Sequence, residues 1–164
     1  GDKRVVVDGD RIGVDMGRYV TGGTSKVTTA EGITFEAREV HTGNPHAVAF
    51  VDDLSSAGAL LTEPSFDRTL YPEGVNIEFV ERRAVGHVAM RVHERGSGET
   101  RSCGTGACAA AIATALVEGQ DTDVARYRVD VPGGTVQVDL TPDGRAHLTG
   151  PAVIVASGTM EWRA

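Results

Sequence analysis

Cys103 opens the run Cys103-Gly104-Thr105-Gly106 and stands immediately before an Ala-rich stretch, Thr105 to Glu118, that contains no proline. That stretch reads as a helix with Gly119 as its C-cap residue. A thiol at the mouth of a helix feels the positive end of the helix dipole, which favours thiolate and lowers its pKa. Gly104 and Gly106 leave backbone N–H groups uncovered, so the same turn can hold a carboxylate or a phosphate. A thiol base beside an anion cradle suits proton removal next to a carboxylate, as at the α-carbon of an amino acid. The donors that hold the carboxylate would also stabilise the enediolate-like charge that develops there.

Free cysteines more commonly act as small buried hydrophobes. Cys108, one turn inside the apolar helix, is read that way, whereas the glycine-flanked helix mouth sets Cys103 apart. A Cys103–Cys108 disulfide or metal pair is the weaker reading, because the spacing is no recognised zinc spacing and no further cysteine is present. A nucleotide-phosphate reading fails in detail. Cys-Gly-Thr-Gly lacks both the G-K-[ST] ending of a P-loop and the third glycine of a dinucleotide fingerprint.

The elements that must position this turn are short strands between Gly, Pro and Asp turns. Val5 to Val7 and Ile12 to Met16 flank Asp8-Gly9-Asp10; Ala47 to Val51 and Val75 to Val80 are apolar runs after Pro45 and Pro72-Glu73-Gly74. His87 to Glu94 puts Val88, Met90 and Val92 on one face, the period-two pattern of a half-buried strand. Val129 to Val131, Thr135 to Leu140 and Ala152 to Ala156 complete the set, with turns at Gly133-Gly134 and Asp143-Gly144. A weaker helical spacing joins Leu54, Ala57, Leu60 and Leu61. The helix 105–118 lacks a polar face and so must be buried all round. The expected fold is α+β: a mixed, mostly antiparallel sheet curled into a barrel around one central helix.

Composition fits one soluble globular domain. The 164 residues are 40% hydrophobic and 24% charged, with a net charge of −7 and a pI near 5.2. That acidity argues against a nucleic-acid partner. No apolar run approaches the ~20 residues needed to span a bilayer, and two cysteines suit a reducing, cytoplasmic compartment. Gly is abundant at 21 residues and aromatics are only 5%, which predicts many tight turns and a core of Val, Ala, Ile and Leu.

Glu94-Arg95-Gly96-x-Gly98-Glu99-Thr100, continued by Ser102-Cys103-Gly104-Thr105-Gly106-Ala107-Cys108-Ala109-Ala110, resembles the second catalytic segment of the diaminopimelate epimerases. Gly43-Asn44-Pro45-His46-Ala47-Val48 and Pro72-Glu73-Gly74-Val75-Asn76-Ile77-Glu78-Phe79 resemble two further motifs of that family, in the expected order. Val131-Pro132-Gly133-Gly134 and Leu148-Thr149-Gly150-Pro151-Ala152 are similar to its closing strands. The resemblance implies a cofactor-independent, two-thiol isomerase that interconverts LL- and meso-2,6-diaminopimelate on the route to lysine and peptidoglycan precursors.

Carried over by motif, the resemblance makes Cys103 one of the two catalytic thiols, the proton donor, with His46 and Glu94 tuning the protonation of the pair. Asn44, Asn76, Glu94 and Arg95 would bind substrate, Arg95 taking the distal carboxylate, and the Gly104 and Thr105 amides would hold the reacting carboxylate. Each has a plainer reading. Asn44 before Pro45 could shape a turn, His46 could be a core histidine, Asn76 could end a strand, and Glu94 with Arg95 could be a solvated pair.

The family pattern also departs here, since the opposing Cys-Gly-Asn-Gly-like turn of a first half is missing and the sequence opens at Gly1. The expectation is therefore a single domain, residues 1–164, equivalent to the C-terminal half of a two-domain epimerase. Its partners would be the small-molecule substrate, the absent half and, in the full-length protein, a second copy. No cofactor, metal, nucleic acid or membrane is expected. Rival readings are another racemase of the same fold, such as a proline racemase, and a binding or dimerisation module without catalysis.

Overall fold

A computed structural model of the chain describes residues 3–119 and 125–161. The hairpin expected around Asp8-Gly9-Asp10 forms from β1 (Val5–Asp8) and β2 (Arg11–Arg18). Next come β3 (Val20–Thr28), β4 (Thr34–His41), β5 (Pro45–Val51), β6 (Ser65–Phe66), β7 (Asn76–Ala84), β8 (His87–Glu94) and β9 (Gly98–Thr100). The helix α1 (Gly104–Glu118) follows, then β10 (Ala125–Val131), β11 (Gly134–Leu140) and β12 (Arg145–Pro151).

Hydrogen bonding orders the strands β1-β2-β12-β11-β10-β8-β7-β5-β4-β3-β6, with β9 added on β8. Among the described residues β5–β7 and β8–β10 pair in parallel and the other ladders are antiparallel, so the sheet is mixed as expected. Closure into a barrel is not present in these ladders, because the path ends at β1 and β6. Instead the sheet twists around the helix, which packs on β4, β5, β7, β8, β10, β11 and β12.

Side-chain alternation sorts the strands onto two cores. Val40, Val48, Val80, Val88, Met90, Val92, Tyr127 and Val129 face α1, whose Gly106 to Ala115 are all buried. The other face carries Val27, Ala37, Ala47, Ala49, Ile77 and Phe79, covered by Leu60, Tyr71 and a single 3-10 turn, Leu54–Ala57. Phe35 packs edge-on against Phe79 at 5.8 Å between ring centroids. On the face of β8 turned away from α1, Ala89 and His93 are buried too, so the strand is covered on both faces rather than half-buried.

Three further expectations change. The helical spacing at 54–61 yields only the 3-10 turn, ended by Gly58 at φ 69°. Residues 152–156 have no regular structure; the closing strand is the preceding segment, β12. Val153, Ile154 and Val155 are 80–92% exposed, so their apolar character meets no partner within the described residues. The helix is buried all round only to Ala115, with Leu116 and Val117 each 40% exposed. Gly119 ends it in the left-handed conformation, as its position predicts. No described helix is long and apolar enough to cross a membrane.

Candidate active site

Cys103 is the N-cap of α1, extended at φ −131° and ψ 112°, and its carbonyl accepts the first helical bond from the Ala107 N–H at 2.8 Å. The N–H groups of Gly104, Thr105 and Gly106 therefore precede the helical bonding pattern and form the positive end of the helix. Cys103 is only 6% exposed. Its Sγ lies 3.5 Å from Thr105 Oγ1 and faces the Gly106 N–H.

Burial dominates the ionisation of this thiol and pushes its pKa up to about 11, helped by the negative charges of Glu78 and Glu94. The Thr105 hydroxyl and the Gly106 N–H pull the other way but do not win. Burial thus outweighs the helix mouth and favours the thiol form of Cys103 over the thiolate expected there. Cys108, buried one turn deeper, is pushed up to about 12 by the same loss of water. Both cysteines are free thiols.

The glycines have a steric purpose as well. A Cβ on Gly106 would meet Glu78 Oε1 at 2.7 Å and the Cys103 Sγ at 3.3 Å, and one on Gly104 would meet Leu148 Cδ2 at 3.0 Å. Gly106 is bare because a carboxylate and the thiol occupy the space beside it.

That carboxylate belongs to a chain of buried polar groups on the helix-facing side of the sheet. His46, second residue of β5, is fully buried, and its register partner on β7 is Asn76. Its Nδ1 lies 2.7 Å from Glu78 Oε1 and its Nε2 3.0 Å from Asn44 Oδ1. A buried ring held at both nitrogens also fits the plain reading of a satisfied core histidine; what that reading does not require is that one partner be a carboxylate beside the Cys103 pocket.

Asn76 ties three distant segments together. Its Nδ2 donates to the Pro45 carbonyl at 3.0 Å, and its Oδ1 accepts the Arg95 N–H at 3.0 Å. Arg95 itself is exposed; its guanidinium donates to the Glu73 carbonyl at 3.1 Å, and its stem lies against Gly74, whose φ is +86°. Arg95, Glu73 and Gly74 line a concavity of about 270 Å³ with His41, Pro45 and Tyr71. Glu94, half-buried at the end of β8, accepts a hydrogen bond from the Thr100 hydroxyl.

The geometry thus gathers Cys103, Gly104, Thr105 and Glu94 at the helix mouth and joins His46 and Asn44 to them through Glu78. Asn76 and Arg95 stand beside this group, held through Pro45 and Glu73. Sequence reasoning gave no role to Glu78, Thr42, whose hydroxyl donates to the Thr105 carbonyl at 3.4 Å, or Thr100. Glu78 did carry a signal: it shares the parity of Asn76 and Val80, so it is a charge on a core-facing register. Of the histidines left aside, His87 pairs with Asp130 at 2.7 Å, and His93 is buried on the opposite core. Glu99 pairs with Arg91 across two bonds. Among the described residues no cluster of three or more His, Cys, Asp or Glu is arranged to hold a metal ion.

The family model for diaminopimelate epimerase matches residues 39–155. The chain is 53% identical over 163 residues to a diaminopimelate epimerase of Streptomyces coelicolor, covering 96% of this chain and 56% of that protein. It is 44% identical to the Rhodococcus opacus enzyme of that name over 170 residues, covering 98% and 57%. The chain therefore spans about half the length of the curated relatives it matches. Among solved structures, a hydroxyproline epimerase from Agrobacterium vitis matches with a TM-score of 0.62 at 18% identity, over 91% of this chain and 52% of that one. A predicted epimerase from Pseudomonas aeruginosa matches with a TM-score of 0.61 at 18% identity, over 94% and 63%. Those two likenesses concern the fold, whereas the sequence matches reach across the motifs that carry Asn44, His46, Asn76, Glu94, Arg95 and Cys103; the chain belongs to the diaminopimelate epimerase family.

Proposed function

We propose that residues 1–164 form one domain, the C-terminal half of an enzyme that interconverts LL- and meso-2,6-diaminopimelate in the bacterial cytoplasm. The observation that carries this reading is the place of Cys103, a buried thiol at the N-terminus of α1 beside the leading N–H groups of Gly104 and Thr105, where loss of water raises its pKa. Such a group is suited to delivering a proton rather than taking one.

A thiolate from the other half removes the α-proton from one face of the substrate, forming an S–H bond as the C–H bond breaks. The electron pair moves into the adjacent carboxylate, which the Gly104 and Thr105 N–H groups hold and stabilise. Cys103 S–H then protonates the α-carbon from the opposite face, and the configuration inverts. Glu94, fixed by the Thr100 hydroxyl, governs the proton on Cys103, and His46 governs the thiol facing it. Asn44 and Asn76 bind the substrate's polar groups, with one N–H of the Asn76 amide left beyond its bond to Pro45. Arg95 takes the distal carboxylate through its guanidinium fork. No cofactor enters. In the two-half enzyme the open sheet closes further into a barrel around α1, and two copies of the full-length chain associate.

The test is proton exchange in D₂O with the full-length enzyme. Deuterium is expected at the α-carbon of LL-diaminopimelate, and Cys103→Ser is expected to lower epimerisation by at least about 100-fold. Turnover surviving that change removes Cys103 from the mechanism. A same-fold racemase acting on proline is the second reading; Arg95 beside its concavity favours a substrate with a second carboxylate. Inversion of proline without inversion of diaminopimelate would decide for it. Failure to invert either would leave the non-catalytic module.

A further inference from the structure

The proton chemistry above leaves one fully buried carboxylate, Glu78, without a task. Glu78 sits at the third position of β7 with no exposed surface, facing α1. Its Oε1 is 2.7 Å from His46 Nδ1, and its Oε2 has no hydrogen-bond partner among the described residues. The same Oε1 lies 2.7 Å from the place of a Gly106 Cβ, and Cys103 Sγ lies 3.3 Å from that place. One carboxylate therefore touches the histidine on one side and the wall of the thiol pocket on the other.

We infer that Glu78 is a positioning residue for both acid–base groups: it accepts the Nδ1–H of His46, fixing which ring nitrogen faces Asn44, and sets its negative charge against Cys103 across the bare Cα of Gly106. This rests on the reading of His46 and Cys103 as the groups that govern the protons.

A carboxylate only accepts, so a bond to Glu78 requires that Nδ1 carry a hydrogen. In the neutral ring Nε2 then keeps its lone pair and accepts from the Asn44 amide. When Nε2 takes a second proton, a half-turn of that amide presents Oδ1, the arrangement found at 3.0 Å. Asn44 thus serves both ring states, while Glu78 supplies the counter-charge that a water-free site otherwise lacks.

On the Cys103 side the facing groups are the Thr105 hydroxyl, the Gly106 N–H, Glu78 and Glu94, with the Cys108 thiol one turn below. Glu78 and Glu94 are the negative ones. Burial does most to keep the proton on sulfur, and the two negative charges add to it.

The experiment compares E78Q with wild type in the full-length protein. First, an ¹⁵N-edited spectrum should show the His46 Nδ1–H proton at low field in wild type, moved upfield in E78Q. Second, iodoacetamide alkylation at fixed pH, mapped to Cys103 by mass spectrometry, should run about tenfold faster in E78Q. Third, kcat should fall with KM little changed. E78D keeps the charge but loses the reach of one methylene. It should lose the low-field proton while alkylating at the wild-type rate, and it provides the comparison should E78Q fail to fold. An unmoved His46 proton with unmoved Cys103 reactivity, whatever happens to melting temperature, overturns the inference. The two spectroscopic and labelling readouts need no turnover, so their failure is separable from a failure of the wild-type enzyme to invert diaminopimelate.

Discussion

Replacing Gly106 with alanine tests the central geometric claim, that this position is bare to admit a carboxylate and a thiol. Its backbone is helical, so on propensity alone the substitution should stabilise the helix by about 0.5–1 kcal/mol. Contact opposes it. The new Cβ would stand 2.7 Å from Glu78 Oε1 and 3.3 Å from both Cβ and Sγ of Cys103, all in a buried site. Overpacking of that kind costs about 1–3 kcal/mol. Moving Glu78 aside to relieve it breaks the His46 bond and leaves buried groups unpaired, a further penalty of about 1–3 kcal/mol. Contact wins, with a net loss of about 3 kcal/mol, or roughly 6–12 °C in melting temperature for a chain of this size. Differential scanning fluorimetry, with urea unfolding as a second measure, reads it directly. A G106A variant as stable as wild type, or more so, would refute the argument, because propensity would then be the only force at the site.

Other outcomes follow from the same structure. Cys103 has a pKa raised from 9.0 to about 11, so its neutral form is favoured by folding; that contribution is complete below pH 9 and is lost as pH rises through about 11. Residue-mapped alkylation of Cys103 should accordingly keep climbing about tenfold per pH unit to pH 10, and a plateau by pH 9 would contradict the burial argument. Asn76→Ala removes both arms of the bridge between Pro45 and Arg95, with an expected loss of about 1–3 kcal/mol in urea unfolding. A loss below about 0.5 kcal/mol would mean the bridge holds nothing.

The helix and its mouth were legible because their signals are local. Alanine content, the absence of proline, Gly119 and the glycines around Cys103 all act within one segment, and the structure has α1 at Gly104–Glu118 with Cys103 as its cap. Alternation likewise located β5, β7, β8 and β11 to within a few residues. What failed depended on partners. No strand is expected from sequence at β3, where Thr21-Gly22-Gly23-Thr24 interrupts the apolar pattern and the ladder to β4 shifts register. Val153 to Val155 has strand-like composition but no neighbour to bond, whereas the less apolar β12 pairs on both sides with β2 and β11. Motif resemblance singled out residues that the fold brings to or beside the helix mouth, whereas the helix dipole points Cys103 toward thiolate and burial points it the other way. A helix dipole is visible in sequence, while the removal of water and two carboxylates from other strands is not. Glu78 was overlooked for a related reason: only the parallel pairing of β5 with β7 sets it beside His46.

That pairing places the acid–base groups on strands in the interior of the ladder, with β4 and β8 bonded outside them. Loops at a rim can fray while a fold persists, but β5 and β7 cannot separate without parting the sheet in two. Amides flanking His46 and Glu78 should therefore exchange with solvent only through global opening. Any substitution that lowers the stability of the whole fold reduces the population of assembled sites by the same factor, even from a distance. In this chain tolerance to mutation and retention of the site are one quantity.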